Sequence, residues 1–153
     1  MENVRGDTER VLDVEKLYAN QDDWAVIRSP GKTNPEMPDP PVAARLGGKA
    51  ELIEKHYYMD GKGCHLVQTA EIAPGNRKYL HRHRYAETVW VVIEGEGEFY
   101  TDPDNAVPFK APAILHSYQW EWHGMGNTGE GPLRYISVEG PSTGRRDATE
   151  LAE

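Results

Sequence analysis

The spacing of hydrophobic residues along the chain changes near residue 50. Within the polar and charged stretch 1–24, Val11, Leu12, Val14, Leu17 and Tyr18 recur at helical intervals and predict one short helix. Prolines at 30, 35, 38, 40 and 41 then forbid a regular helix or a central strand, so an extended arm is expected there. From Glu51 onward short runs rich in β-branched and aromatic residues alternate with turn signals. Residues 51–59 (ELIEKHYYM) and 64–72 (CHLVQTAEI) read as strands joined by the turn Asp60-Gly61-Lys62-Gly63, and Pro74-Gly75 ends the second. The clearest strand is Thr88 to Ile93 (TVWVVI). Glu98 to Thr101 follows the Gly95/Gly97 pair, and 113–122 and 133–138 complete the set. No internal repeat is visible. Short strands in succession, with no long amphipathic helix between them, predict an all-β sandwich or barrel.

The division expected is an arm over 1–50 packing on a barrel over 51–140, with a tail over 141–153. Strand 88–93 is apolar on both faces, since Trp90 and Val92 alternate with Val89, Val91 and Ile93. A second sheet can cover one face, and the arm or a neighbouring subunit must cover the other. A homodimer is therefore expected.

Composition narrows the classes. A chain of 153 residues fits one domain with a hydrophobic core of its own. Seventeen basic against 25 acidic residues leave a formal charge of −8 with no offsetting basic block, which argues against a nucleic-acid partner. Cys64 is the only cysteine, so an internal disulfide and a cysteine-based zinc cluster are excluded, and a small buried hydrophobe is the expected role. No apolar run approaches a membrane span, and the opening Met-Glu-Asn-Val-Arg-Gly-Asp lacks the core of a signal peptide. No membrane partner and a cytoplasmic location are expected.

The chemistry concentrates between Pro74 and Gly97. If 81–83 is extended, His81 and His83 point the same way with Cα atoms roughly 6.5–7 Å apart, close enough for both imidazoles to reach one ion. Glu87, four residues on, can supply a carboxylate. Two histidines and a carboxylate form a facial set that leaves positions open for substrate or oxygen.

This segment resembles the first motif of the cupin superfamily, G-x5-H-x-H-x3-E-x6-G, through Gly75, His81, His83 and Glu87. Seven residues rather than six separate Glu87 from Gly95. Either a bulge follows Glu87, or Thr88 takes the usual glutamate's place and Glu87 lies beside the metal. The second motif, G-x5-P-x-G-x2-H-x3-N, is half present: His123-Gly124-Met125-Gly126-Asn127 keeps its end, while Tyr118 and Trp120 replace the proline and glycine. The resemblance spans about residues 64–138 and implies a jelly-roll barrel. It also implies one divalent metal ion held by His81, His83, Glu87 and His123. Iron(II) is favoured there, with manganese, nickel, zinc or copper as alternatives. His116, seven residues before His123, competes for the last position, whereas His56 and His65 read as ordinary strand histidines.

If 118–123 is extended, Gln119, Glu121 and His123 share a face, so Glu121 lies either in the pocket as a base or further ligand, or on a solvent-exposed loop. Similar cupins suggest an enzyme acting on a small organic molecule, first an iron(II) dioxygenase. The alternatives are a redox-neutral isomerase, lyase or decarboxylase with Glu121 or Tyr79 moving the proton, and a non-catalytic ligand-binding module.

Overall fold

A computed structural model describes residues 2–3, 11–29, 31, 48–58, 63–102, 105–141 and 149–151. The strands are β1 (Glu2–Asn3), β2 (Ala25–Arg28), β3 (Glu51–Tyr58), β4 (Leu66–Ile72), β5 (Arg77–His83), β6 (Glu87–Glu94) and β7 (Glu96–Asp102), followed by β8 (Asn105–Lys110), β9 (Ala113–Ser117), β10 (His123–Asn127), β11 (Leu133–Gly140) and β12 (Thr149–Leu151). A single helix among the described residues, α1 (Val14–Ala19), precedes β2. The proline-rich stretch expected to form an arm lies, apart from Gly31, outside the described residues. No described helix is long and apolar enough to cross a membrane.

Two sheets face each other. One has the order β1-β3-β4-β11-β6-β9 with β2 also on β3, and the other runs β12-β5-β10-β7-β8. Strict alternation along β6 makes this possible: Thr88, Trp90 and Val92 are buried, while Glu87, Val89, Val91 and Ile93 are exposed. Gly95, at φ 93°, turns the chain from β6 into β7 and so from one sheet to the other. A Cβ there would lie 2.6 Å from the Pro132 carbonyl oxygen, so the position suits glycine for both its backbone angle and its closeness to β11.

The core is drawn from both sheets. Leu52, Ala70, Ile72, Trp90, Val92, Leu133 and Tyr135 of the first meet Phe99 and Met125 of the second. Burying a side chain such as Leu133 contributes roughly 1.5–3 kcal/mol. α1 begins at Asp13, whose carboxylate accepts the Lys16 N–H at 3.2 Å, and docks through Tyr18. The Tyr18 hydroxyl lies 2.7 Å from the Tyr135 carbonyl oxygen and 2.9 Å from that of Ala70, and its ring meets Trp24 edge-on at 5.0 Å.

The expected strand 113–122 is corrected. Extended structure stops at Ser117, and residues 118–122 form a turn. Trp120 there has φ 63°, and its N–H donates to the His83 carbonyl at 2.8 Å. A bulky residue in the left-handed region costs on the order of 1–2 kcal/mol. Two guanidinium groups lie over its ring, Arg82 at 3.7 Å and Arg84 at 4.5 Å, contacts that favour this placement.

Candidate metal centre

Strands β5 and β10 are antiparallel neighbours, with His123 directly opposite His81, and strand alternation sets His83 beside them. The three histidines form a group whose ligand atoms all lie within 4.8 Å of one another. His81 Nδ1 donates to the Tyr79 carbonyl at 2.9 Å. His123 Nδ1 lies 3.1 Å from the Glu121 carbonyl oxygen and 3.1 Å from the Ser117 hydroxyl. With each Nδ1 proton directed at a carbonyl, each Nε2 presents a lone pair, and these two nitrogens face one another at 3.0 Å. Lone pairs so placed repel unless a cation lies between them. Two imidazoles at right angles about one ion, each roughly 2.1 Å from it, would be roughly 3 Å apart, so the pair suits a divalent metal.

Burial pulls the pKa values of His81 and His123 well below the ordinary 6.5, and the mutual repulsion of the three rings adds to it. Burial also lowers His83, to about 4, with Lys78 and His65 contributing. All three rings are therefore neutral near pH 7, the state in which imidazole binds metal.

Glu87 does not join them. It is exposed on the outer face of β6, and Thr88 is the residue that faces the cavity. The physical reason is the two-residue period of the strand: Trp90 and Val92 must face the core, so Thr88 points inward and Glu87 outward. The ligand role expected for Glu87 is thus corrected in favour of the alternative in which Thr88 occupies the inward position. The Thr88 hydroxyl is buried and has no hydrogen-bond partner among the described residues.

His116 is exposed on β9, its ring 5.0 Å from that of Tyr118, away from the cluster. Glu121 is also outside the cavity lining, because its carboxylate closes the 118–122 turn by accepting the Tyr118 N–H at 3.2 Å. The pocket role considered for Glu121 assumed an extended 118–123, which the turn removes. Tyr79 does line the cavity, its ring 5.0 Å from that of His81. Cys64 is half-buried, with Sγ 3.9 Å from the Leu66 carbonyl oxygen.

The cavity holds about 180 Å³, and its other walls are polar. Glu54 and His56 of β3, Gln68 of β4, Lys78 of β5 and Glu139 of β11 line it. Glu54 hydrogen-bonds His56 and lies 3.6 Å from Lys78 Nζ. Gln68 in turn accepts from the Ser137 hydroxyl at 2.8 Å. Burial opposes charge on both Glu54 and Lys78, but their mutual attraction outweighs it, lowering the carboxyl pKa and raising that of the ammonium. For Glu139 the attraction of Lys78 and His56 offsets burial only in part. Burial raises it to about 7, and its carboxylate lies 3.6 Å from His65 and 3.8 Å from His83.

A signal for this wall was present in the sequence. Leu52, Glu54, His56 and Tyr58 share one face of β3, so an apolar position at one end of the inward face gives way to charged and polar ones. Two acid–base residues on a core-facing stripe are a mark of a lined cavity.

Comparison with known proteins agrees with this geometry. Residues 68–139 match the family model described as the cupin domain. The chain is 29% identical over 117 residues to the oxalate-binding protein of Thermotoga maritima, covering 74% of this chain and 91% of that one. It superposes on a conserved protein with a double-stranded β-helix domain from Klebsiella pneumoniae with a TM-score of 0.62 at 22% identity, covering 94% of this chain and 97% of that one. A predicted oxalate decarboxylase from Thermotoga maritima gives a TM-score of 0.53 at 24% identity, covering 71% and 96%. Two facing antiparallel sheets, histidines gathered between them from β5 and β10, and a match over the central 68–139 agree: the chain has the cupin-type jelly-roll fold, and residues 68–139 match the cupin domain.

Proposed function

We propose that His81, His83 and His123 hold one divalent metal ion and that a small carboxylate of about oxalate size binds beside it, with Lys78 supplying the opposing charge. The observation that carries this reading is a convergent three-histidine cluster sharing a cavity of about 180 Å³ with a buried lysine. That volume is below the roughly 300–1,000 Å³ typical of sites for drug-sized molecules. The likeness to an oxalate-binding protein supports a dicarboxylate as the first ligand to try.

The ion would polarise a carboxylate oxygen as a Lewis acid. Lys78 holds the anion's charge from inside the cavity. Glu139, raised to about 7, can hold or release a proton near neutral pH beside His83, which gives it the role considered for Glu121. Tyr79 forms the wall next to His81. This set supports redox-neutral chemistry, such as decarboxylation, or binding alone. The iron(II) dioxygenase expectation, drawn from similar cupins and from open positions on the ion, loses the Glu87 carboxylate but not those open positions. Three imidazoles suit zinc, copper, iron or nickel.

The test is calorimetric titration of metal-loaded and metal-free protein with oxalate, alongside a Lys78→Met, Glu54→Gln double variant that leaves no buried charge unpaired. Binding that needs the metal and weakens at least about tenfold in the double variant is expected, since each factor of ten is about 1.4 kcal/mol. Equal binding with and without metal would sink the reading.

A further inference from the structure

The three histidines are not held alike. Those of β5 and β10 that face one another have their Nδ1 atoms on backbone carbonyls, which only accept and so fix the tautomer. His123 Nδ1 also has the Ser117 hydroxyl at 3.1 Å beside its carbonyl, whereas His83 Nδ1 meets the Thr149 hydroxyl at 2.9 Å. Thr149 lies 66 residues away in sequence, on β12, which pairs antiparallel with β5 in the register Thr149↔His83, Glu150↔Arg82 and Leu151↔His81. A second contact anchors the strand, Arg82 Nη2 to Glu150 Oε1 at 3.2 Å. Thr149 also lines the cavity.

From this juxtaposition we infer that the carboxy-terminal strand β12 is part of the metal site, with Thr149 as the positioning residue for His83. The inference rests on the metal reading above and adds a residue to it. A neutral imidazole that gives Nε2 to an ion must carry its proton on Nδ1, and that proton needs an acceptor in a buried place. The Thr149 hydroxyl is that acceptor. On the other side of the ring, His83 Nε2 lies 3.8 Å from Glu139, which favours the opposite tautomer with the proton on Nε2. The hydroxyl can accept or donate, so it accommodates both states, and metal binding selects the one in which it accepts. Residues 149–151 thus belong to the chemistry of β5 rather than to a tail.

The experiment measures cobalt(II) affinity by calorimetry for the full chain and for Thr149→Val and Thr149→Ser, with the thermal melt of each metal-free protein as a fold control. Valine keeps the shape and β propensity of threonine but removes the acceptor. Serine keeps the acceptor. Thr149→Val should bind cobalt(II) about 10–100-fold more weakly, the usual effect of losing the partner of a ligating histidine, with its metal-free melt close to wild type. Thr149→Ser should bind within about threefold of wild type, a rescue that a purely packing role would not give. Wild-type affinity in Thr149→Val, or equal losses in both variants, would overturn the role of the hydroxyl while leaving the three-histidine site standing. A wild-type chain that binds no cobalt(II) would overturn both readings together.

Discussion

Burial keeps the three cluster histidines neutral, and that gives the metal-free protein a defined response to acid. His83 is lowered from 6.5 to about 4, and His81 and His123 lie well below 6.5. A group whose pKa is depressed by folding contributes stability above its unfolded pKa and loses it as pH falls toward the folded value. By pH 5 His83 should have lost about 2 kcal/mol relative to pH 7, and His81 and His123 lose stability in the same direction. Glu139 works the other way. Its pKa is raised from 4.5 to about 7, so folding favours its protonated form, and stability is gained as pH falls through that window, by about 2 kcal/mol at pH 5. Three groups outweigh one, so urea denaturation of the metal-free protein should show a net loss of stability from pH 7 to pH 5. Unchanged or rising stability would mean that the rings are not buried and neutral together.

Among the elements, α1 and β6 make separate commitments. The helix has only six residues and one buried side chain, so its attachment depends on Tyr18. Tyr18→Phe removes the hydroxyl between the Ala70 and Tyr135 carbonyls and should cost about 1–2 kcal/mol in denaturant melts, with metal content unchanged. The outer face of β6 is apolar and open. Val89, Val91 and Ile93 continue into Ile114 on β9, which is 73% exposed, and Val138 on β11. That stripe supports the proposal of a homodimer, because three adjoining strands present apolar side chains that this chain's described residues leave uncovered. Wild type should sediment as a dimer at micromolar concentration and Val91→Glu as a monomer. A monomeric wild type would remove the proposal.

Which elements were legible follows from their side chains. Strands β3, β4, β6 and β11 are rich in apolar β-branched or aromatic residues, β6 and β11 with a two-residue period as well, and their positions were read within a few residues. β10 was not, because His-Gly-Met-Gly-Asn is buried throughout and shows no alternation. Gly124 there allows close approach, since a Cβ on it would lie 3.2 Å from the Lys78 carbonyl oxygen. β8 was hidden by Pro108, which is tolerated because β8 is the edge of its sheet. The turn at 118–122 was misread as strand because Tyr, Trp and Trp favour strands, while the left-handed Trp120 is decided by its contacts with Arg82 and Arg84.

At the scale of the whole molecule, two sheets bring residues 54, 78, 81, 83, 123 and 139 around one small cavity, and the site is legible only as far as local spacing reaches. His81-x-His83 was visible because both ligands sit on one strand. His123 was visible through its asparagine four residues beyond, Asn127, whose amide donates to the Ile72 and Gly131 carbonyls at 2.8 and 2.9 Å and fixes the end of β10. Lys78, Glu139 and Thr149 were not singled out, since their roles arise from pairings between distant strands.

The central claim is that three histidines, without Glu87, make the metal site. Metal content after identical loading of wild type, His81→Ala, His83→Ala, His123→Ala, His116→Ala and Glu87→Gln tests it most directly. About one equivalent per chain is expected in wild type, His116→Ala and Glu87→Gln, because neither of those two side chains faces the cluster. Each of the other three variants loses a direct metal bond and should retain little after dialysis against a weak chelator. Loss of metal in Glu87→Gln, or full occupancy in His123→Ala, would contradict the site as drawn here.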